Sequence, residues 1–510
     1  MKRYALRLLC LLSAMAFLLS GCWTEAPVES VNGLLGEEEA EEEAEVILPA
    51  AFTLPYQPDQ TLDPITCGDG MQQVVGSLLY EGLFRLDHQL EPQPFLCQSY
   101  SYDPATLTYH LTLRTDVTFS DGSPLTAADV SASLWRAKAS QRYGSRLADV
   151  SAISAGDGTL SITLSSPDTG FPALLDIPIV KSGTEGNLVP TGTGPYAYTS
   201  DSSGSYLTAR TDWWCGSGQP VDRIDLSAVQ DQDAMLYQFT SHTVHLITAN
   251  LIGTSPIVAT GNISYEDADT TVLQFVGFNT RRALFQDPAV RRALGLGINR
   301  DTLVSAVLSG HGRAAQFPVS PASALYPNAL EQLYSYDDFA AAMAEAGLND
   351  GQTQTVTLLV NQENTFKVSS AQYIADALSD FDLKIQVESL PWAEYTAALA
   401  SGDFDLYYGE VRLPGNWDLS ALVGTGGSLN YGGWSDPQTD QLLSVYAAAE
   451  DRYTALSNLC AHLAEQAPIL PICFASSSVL YQTGVISGLS PTASEPFYDL
   501  PSCQIHLAEN

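Results

Sequence analysis

The apolar residues of this chain change their period several times, and each change predicts an element. Val74, Val75, Leu78, Leu79 and Leu83 recur at helical spacing and predict a helix over 71–83. From residue 107 the period becomes two: Tyr109, Leu111 and Leu113 alternate with His110, Thr112 and Arg114, the pattern of a half-buried strand. Phe119-Ser120-Asp121-Gly122 predicts a tight turn, because Asp-Gly tolerates positive φ. Thr126 and Asp129 are spaced as a capping box that opens a helix through Val130, Leu134 and Trp135. A second hairpin around Gly156-Asp157-Gly158 feeds a strand over 160–164. Gly192-Thr193-Gly194-Pro195-Tyr196 predicts a rigid turn entering a strand; it lacks the Lys-Ser/Thr pair and the following helix of a phosphate loop.

Further on, residues 272–279 predict a strand, and Asp287-Pro288 an N-cap with the first turn of a helix whose apolar face is Val290, Ala293, Leu294 and Ile298. A second helix from 301 stops at Gly310. Strand 356–360, helix 371–378, strand 383–387, helix 392–399 and strand 404–408 follow in turn, the βαβαβ order of an open α/β sheet. Ligands of such sheets lie beyond the carboxyl ends of the strands, which directs attention to the loop 409–418. One long helix is expected from 440 to about 467, followed by Pro468-Ile469-Leu470-Pro471 and the last strands.

The N-terminus changes the picture. Basic Met1-Lys2-Arg3, an apolar run over 8–19 and the exit Leu19-Ser20-Gly21-Cys22 have the layout of a secretory signal. The run is short for a membrane span, which needs about 20 apolar residues. The quartet resembles the bacterial lipobox, in which the cysteine is diacylated and becomes the new N-terminus. That resemblance makes 1–21 a lipoprotein signal peptide and Cys22 the lipidation site, with each buried CH₂ of the acyl chains contributing about 0.8 kcal/mol to anchoring. Residues 22–47 read as an acidic tether, because seven of the nine residues 37–45 are glutamate and repel one another.

A chain of 510 residues suits two or three domains. Its net charge of −36 excludes nucleic acid as a partner, since phosphate binding needs clustered Lys and Arg. Cys67, Cys97, Cys215, Cys460, Cys473 and Cys503 remain beyond the tether without a Cys-x-x-Cys pair. They are compatible with disulfides and equally with free buried thiols. His242 and His245 are spaced for one helix face but make an incomplete metal site, and no metal or cofactor is expected. No nucleophile elbow, His-Glu-x-x-His helix or Walker loop occurs, so no catalytic residue is assigned and the chain is expected not to be an enzyme.

Several segments in order carry a resemblance. They are Tyr80-Glu81-Gly82-Leu83, Leu113-Arg114 with Phe119-Ser120-Asp121-Gly122, and Gly192-Thr193-Gly194-Pro195-Tyr196. Further along come Phe278-Asn279, Val290-Arg291-Arg292-Ala293-Leu294, Ala346-Gly347, Gly402-Asp403-Phe404-Asp405-Leu406 and Ala467-Pro468-Ile469-Leu470-Pro471. Together they resemble the extracellular solute-binding proteins of family 5, the oligopeptide-, dipeptide- and nickel-binding receptors of bacterial ABC importers. The resemblance implies an α/β fold, the two-lobed periplasmic-binding-protein type II fold with an extra inserted domain (cluster C type). Lobe I would take 48–81, 189–275 and 480–510, the inserted domain 82–188 and lobe II 276–479, with the hinge near 273–280 and 478–486.

The function so implied is capture of di- or oligopeptides between the lobes, hinge closure, and delivery to ABC permease and ATPase subunits. The receptor would be a monomer on the outer face of the cell membrane, on the periplasmic side where an outer membrane is present. In peptide-binding relatives an aspartate in the loop after strand 404–408 meets the ligand's amino group. Here that position falls near Arg412 or Leu413, and the carboxylate-binding arginine has no counterpart in 361–367. Trp392, Tyr408, Glu410, Arg412, Trp417 and Asp418 are expected to line the cleft. Trp417 would form an apolar wall, Arg412 would pair a carboxylate, and Glu410 or Asp418 an amine. Core packing is the competing expectation for Trp392, and a mutual ion pair for Arg412 and Asp418. The alternative functions are binding of a non-peptide solute such as a nickel or other metal chelate, and sensing without transport.

Overall fold

Helix Gly70–Ser77 ends before the 71–83 pattern does, and the cause is tertiary. The carbonyls of Leu79 and Leu78 accept the N–H groups of Gly194 and Tyr196 at 2.9 and 3.1 Å, so the chain leaves the helix to meet this segment. A Cβ on Gly192 or Gly194 would collide with the Leu79 or Leu78 carbonyl, which is why the turn carries glycines. The computed structural model describes residues 46–68, 70–216, 218–257 and 261–509; the signal sequence, Cys22 and the tether through 45 lie outside the described residues. Among the described residues, no helix is long and apolar enough to cross a membrane.

Lobe I holds two sheets. Thr53–Tyr56, Arg223–Ala228, Gly204–Ala209 and Tyr196–Asp201 form a four-stranded sheet in that spatial order; Leu246–Ala249, Ser477–Gln482 and Ile263–Ala268 form a three-stranded one. Between them lies a core that includes Phe52, Leu54, Val75, Leu207 and Leu246. The inserted domain is a four-stranded antiparallel sheet in the order Cys97–Asp103, Thr108–Leu113, Thr159–Leu164, Val150–Ala155. Tyr109, Leu111 and Leu113 point inward as their alternation predicts and pack under helix Ala127–Ala139 through Val130 and Leu134. Its capping box is formed: Thr126 Oγ1 accepts from Asp129 N, and Asp129 Oδ2 accepts from Thr126 N at 3.0 Å.

Lobe II is built on a six-stranded mixed sheet, ordered Gly312–Ala314, Ile469–Ala475, Val272–Phe278, Leu406–Arg412, Gln354–Asn361, Leu383–Leu390. The predicted βαβαβ stretch supplies its three parallel strands, with helices Thr365–Leu378 and Trp392–Ser401 as the crossovers. The single long helix expected over 440–467 is instead two, Pro437–Ala448 and Arg452–Gln466. Each starts on its own aspartate cap: Asp436 accepts from Thr439 N and Asp451 from Thr454 N. The break frees the carbonyls of Ala447 and Ala449, and Thr169 of the inserted domain donates to both, from N at 2.9 Å and Oγ1 at 2.7 Å.

The chain crosses between the sheets of the two lobes at 269–271 and at Ser476, just ahead of the expected 273–280 and 478–486. Leu273 already pairs with Val411 and Phe474 in lobe II, whereas Ser478 already pairs with Ala249 and Asp267 in lobe I. Cys97, Cys215, Cys460, Cys473 and Cys503 form no disulfide; all but Cys215 are buried.

Candidate functional site

The carboxyl ends of strands Gln354–Asn361 and Leu406–Arg412 carry the polar side chains of lobe II. Lys367, in the first turn of helix Thr365–Leu378, pairs with Glu410 at 3.1 Å. Gln274 Nε2 donates to the other Glu410 oxygen at 3.0 Å, and Tyr408 Oη donates to Gln274 Oε1 at 2.7 Å. Glu410 is therefore already neutralised within its own lobe, which weakens its expected role as the partner of a ligand amine. Lys367 and Gln274 went unnoticed in the sequence, because Gln274 meets Glu410 by strand pairing and Lys367 reaches it from a helix packed on the sheet.

Arg412 is different. Two residues beyond Glu410 on the same strand, it is exposed and has no ion-pair or hydrogen-bond partner among the described residues. Crowding by protein lowers its guanidinium below the ordinary value; Glu410 opposes this, and Arg142 of the inserted domain adds to it. Arg146 in turn feels Arg412 and Arg142, and burial is the main cause of its own lowering. Arg142 Nη1 donates to the Cys67 carbonyl of lobe I at 2.8 Å, and its ring neighbour is Tyr143 at 5.1 Å. Among the described residues, Arg146 is the one of the three with an ion pair, to Asp176. Arg142 and Arg412 thus bring positive charge from two domains toward one place, in a chain with 22 basic residues against 58 acidic ones. Like charges brought together repel, and an incoming anion relieves that repulsion. Scarcity was the available signal in the sequence: Arg142 and Arg146 lie close together in a stretch with no acid of its own between them.

The other expected residues are divided. Trp392 is 59% exposed at the start of its helix, its N–H bonded to Glu363 Oε1 at 3.0 Å and its ring stacked on Tyr395 at 5.9 Å. Asp418 is exposed and caps a local turn, accepting from Ser420 N at 2.9 Å; no ion pair joins it to Arg412 among the described residues. Tyr408 lies beneath the wall, 1% exposed, and supports Glu410 through Gln274. Trp417, expected as an apolar wall, is instead core: it is 1% exposed and packs edge-on against Phe474 with ring centroids 6.0 Å apart. Its backbone is left-handed, with φ 57°, an uncommon conformation for a bulky residue. His242 and His245 do not share a helix face, because helix Gln232–Thr240 ends before them. His245 is buried and its Nδ1 accepts from Thr53 N at 2.9 Å, and among the described residues no group of three or more His, Cys, Asp and Glu is placed to hold a metal ion.

Comparison with known proteins places this geometry. The glutathione-binding protein GsiB of Escherichia coli (strain K12) is 27% identical over 425 residues, covering 77% of this chain and 81% of that protein. Among solved structures, the nickel ABC transporter protein of Bacillus halodurans is similar with a TM-score of 0.74 at 22% identity, over 88% of this chain and 98% of its own. The oligopeptide-binding protein AppA of Bacillus subtilis, solved with a nonapeptide, is similar with a TM-score of 0.61 at 20% identity, over 91% and 100% of the two chains. These structures share the two-lobed type II fold that the sheets of this chain form. Residues 91–429 match the bacterial extracellular solute-binding proteins of family 5 (middle region), and the chain belongs to that family, the substrate-binding proteins of ABC importers.

Proposed function

We propose that the protein captures a small carboxylate-bearing solute, a short peptide being the class that fits best, and presents it to its permease from a lipid tether on Cys22. The observation that supports this reading is Arg412 of lobe II, exposed on its strand, whose guanidinium is lowered by crowding and further by the charge of Arg142 of the inserted domain; neither arginine has an ion-pair partner among the described residues. A guanidinium binds a carboxylate in a two-pronged geometry, and partial desolvation strengthens the contact. Trp392 offers an exposed ring at the carboxyl edge of the lobe II sheet, and Asp418 remains free to meet an amine. The names of the relatives agree in kind: glutathione and a nonapeptide are both peptides with free carboxylates. The nickel-related structure keeps a metal chelate as the second reading, since chelators of that metal are commonly carboxylates and would use the same arginines. The protein acts as a monomeric receptor in this reading, and the two lobes close over the solute.

The test is direct. The purified full-length protein is denatured and the released small molecules are identified by mass spectrometry; the compound found is then titrated back by calorimetry. A peptide or other carboxylate supports the reading, and a solute without an anionic group overturns it. Hydrolysis of that compound by the protein would show an enzyme and not a receptor.

A further inference from the structure

Leu330, Leu333, Tyr334 and Tyr336 stand exposed close together in one short stretch of lobe II, and Leu333 is 95% exposed. Single exposed leucines are ordinary on a surface, but a run of this kind marks a place where another surface sits. The run is held out by its neighbours. Gln316 Nε2 donates to the Gln332 carbonyl at 2.6 Å, and Gln332 N donates back to Gln316 Oε1 at 3.0 Å. The buried Tyr326 donates its hydroxyl to Glu331 Oε1 at 2.5 Å. On the far side Ser335 caps helix Tyr336–Glu345 by accepting from Asp338 N, and the Tyr336 ring is stacked on Phe381 with centroids 6.5 Å apart. Leu333 and Tyr334 thus project from a loop pinned at both ends, which leaves little freedom to lose on contact. Tyrosines are also among the side chains that anchor interfaces most strongly.

The charge around the run selects its partner. Glu331, Asp337 and Asp338 flank it along the chain, and Asp380 accepts from the Tyr336 hydroxyl at 3.3 Å. From 314 to 366 the sequence has six acids and no Lys, Arg or His. A second copy would press acid on acid, and anionic lipid would be repelled. What fits is a protein surface with an apolar groove set between Lys and Arg side chains. The loop is also linked to the hinge. Arg313 holds Asp269, at the crossing 269–271, through bonds of 2.5 and 2.9 Å. Ser476, at the other crossing, donates its N–H to the His311 carbonyl at 3.3 Å. Strand Gly312–Ala314 runs from there toward Gln316, which grips the loop. When the lobes turn about the crossings, the run travels with lobe II.

We propose that Leu330, Leu333, Tyr334 and Tyr336 form the surface by which lobe II docks on the importer's permease, received there in an apolar groove edged with basic side chains. This rests on the protein's place in an ABC importer, and adds which residues touch the partner and what chemistry the partner presents. Because the run travels with lobe II, its fit to the groove differs between the open and the closed receptor.

Photo-crosslinking in intact cells tests it. The full-length protein is produced in its native cells with p-benzoylphenylalanine in place of Leu333. Two reference proteins carry the probe in place of Tyr237 of lobe I or Trp135 of the inserted domain, both exposed. Irradiation should join the Leu333 position to a permease subunit with several membrane spans, identified by mass spectrometry. Tyr334→Asp or Asp337→Lys, combined with that probe, should lower the yield at least tenfold. Both positions are exposed, so the variants should fold, and an unchanged melting temperature certifies it. A yield indifferent to both changes overturns the proposed chemistry. Adducts from Leu333 to a second copy of the chain or to lipid, with none to a permease, overturn the docking surface. Permease adducts from Tyr237 or Trp135 and none from Leu333 overturn it as well and leave the importer reading intact. No permease adduct from any of the three positions overturns both.

Discussion

Asn416 of lobe II donates its side-chain amide to the Asp168 carboxylate of the inserted domain at 2.8 Å. Its backbone carbonyl accepts from Arg452 Nη2 at 2.7 Å and from Tyr446 Oη at 2.8 Å. A Cβ on the neighbouring Gly170 would press on Arg452 and on Asn416 itself. Together with Thr169 on the Ala447 and Ala449 carbonyls, this contact joins the inserted domain to lobe II, and its expected role is to seal one flank of the cleft. Burial raises the Asp168 carboxyl above its ordinary value, and the Asn416 amide works against that rise.

Asn416→Ala leaves a buried carboxylate oxygen without its donor, at a cost of about 1–3 kcal/mol borne by the sealed form alone. Ligand affinity should fall about tenfold by population shift, with roughly 1.4 kcal/mol per factor of ten. Small-angle scattering of the ligand-free protein should show a larger radius of gyration than wild type. An unchanged radius together with unchanged affinity would mean that the contact seals nothing.

Arg412→Ala and Arg142→Ala should each weaken a carboxylate-bearing solute by roughly ten- to a hundredfold, the range of a charge-assisted hydrogen bond. Glu410→Gln should cost less, because Lys367 and Gln274 already occupy that carboxylate. Calorimetry with the compound released from the native protein decides the order. If Glu410→Gln proves the most damaging of the three, the amine-binding role expected for Glu410 is restored.

The two tryptophans of the expected site should behave oppositely. Trp417→Ala removes a buried ring and should cost about 3–5 kcal/mol of stability. Trp392→Ala removes an exposed one and should stay within about 0.5 kcal/mol of wild type while weakening the solute. Urea unfolding separates the cases. Equal stability losses would contradict the burial described here.

Stability should depend on pH through Glu495. Burial lifts its carboxyl to about 7, Arg85 at 3.9 Å opposes this, and the buried Glu81 adds to it. An unfolded glutamate titrates near 4.3, so the native state binds the proton more tightly and stability rises as pH falls through 7. His245 carries the opposite sign: burial lowers it to about 4, so stability is lost as pH falls below about 6.5, the value of an unfolded histidine. The melting temperature should therefore rise from pH 8 to 6.5, and Glu495→Gln should flatten that rise. A Glu495→Gln protein that keeps the full slope would falsify the assignment.

Cys22→Ser should release the protein from the membrane fraction into the medium with its solute affinity unchanged. Cell fractionation followed by calorimetry measures both. Loss of binding together with the tether would show that anchor and receptor are not separable.

Local grammar made much of the fold legible. The capping box at Thr126 and Asp129, the alternation at Tyr109, Leu111 and Leu113, and the βαβαβ order through 354–412 all form as predicted. Each depends on neighbours a few residues apart, which a sequence displays directly. The misses share the opposite property. The helix expected over 71–83 stops early because residues 192–196 take its carbonyls, and the helix expected over 440–467 breaks where Thr169 docks.

The candidate site divides along the same line. The sequence by itself directed attention to one strand and its loop: the stretch beyond 404–408 was marked by topology, and Arg412 by its charge. It could not determine what faces Arg412, because Arg142 arrives from another domain and Glu410 is claimed by Lys367 and Gln274 across the sheet. Nor could it tell Trp417 from Trp392, since the first indole is buried by packing against Phe474, which lies far away in the chain. Periodicity and caps follow from contacts near in sequence, whereas a cleft is made of residues far apart in the chain, and only tertiary packing brings their charges together.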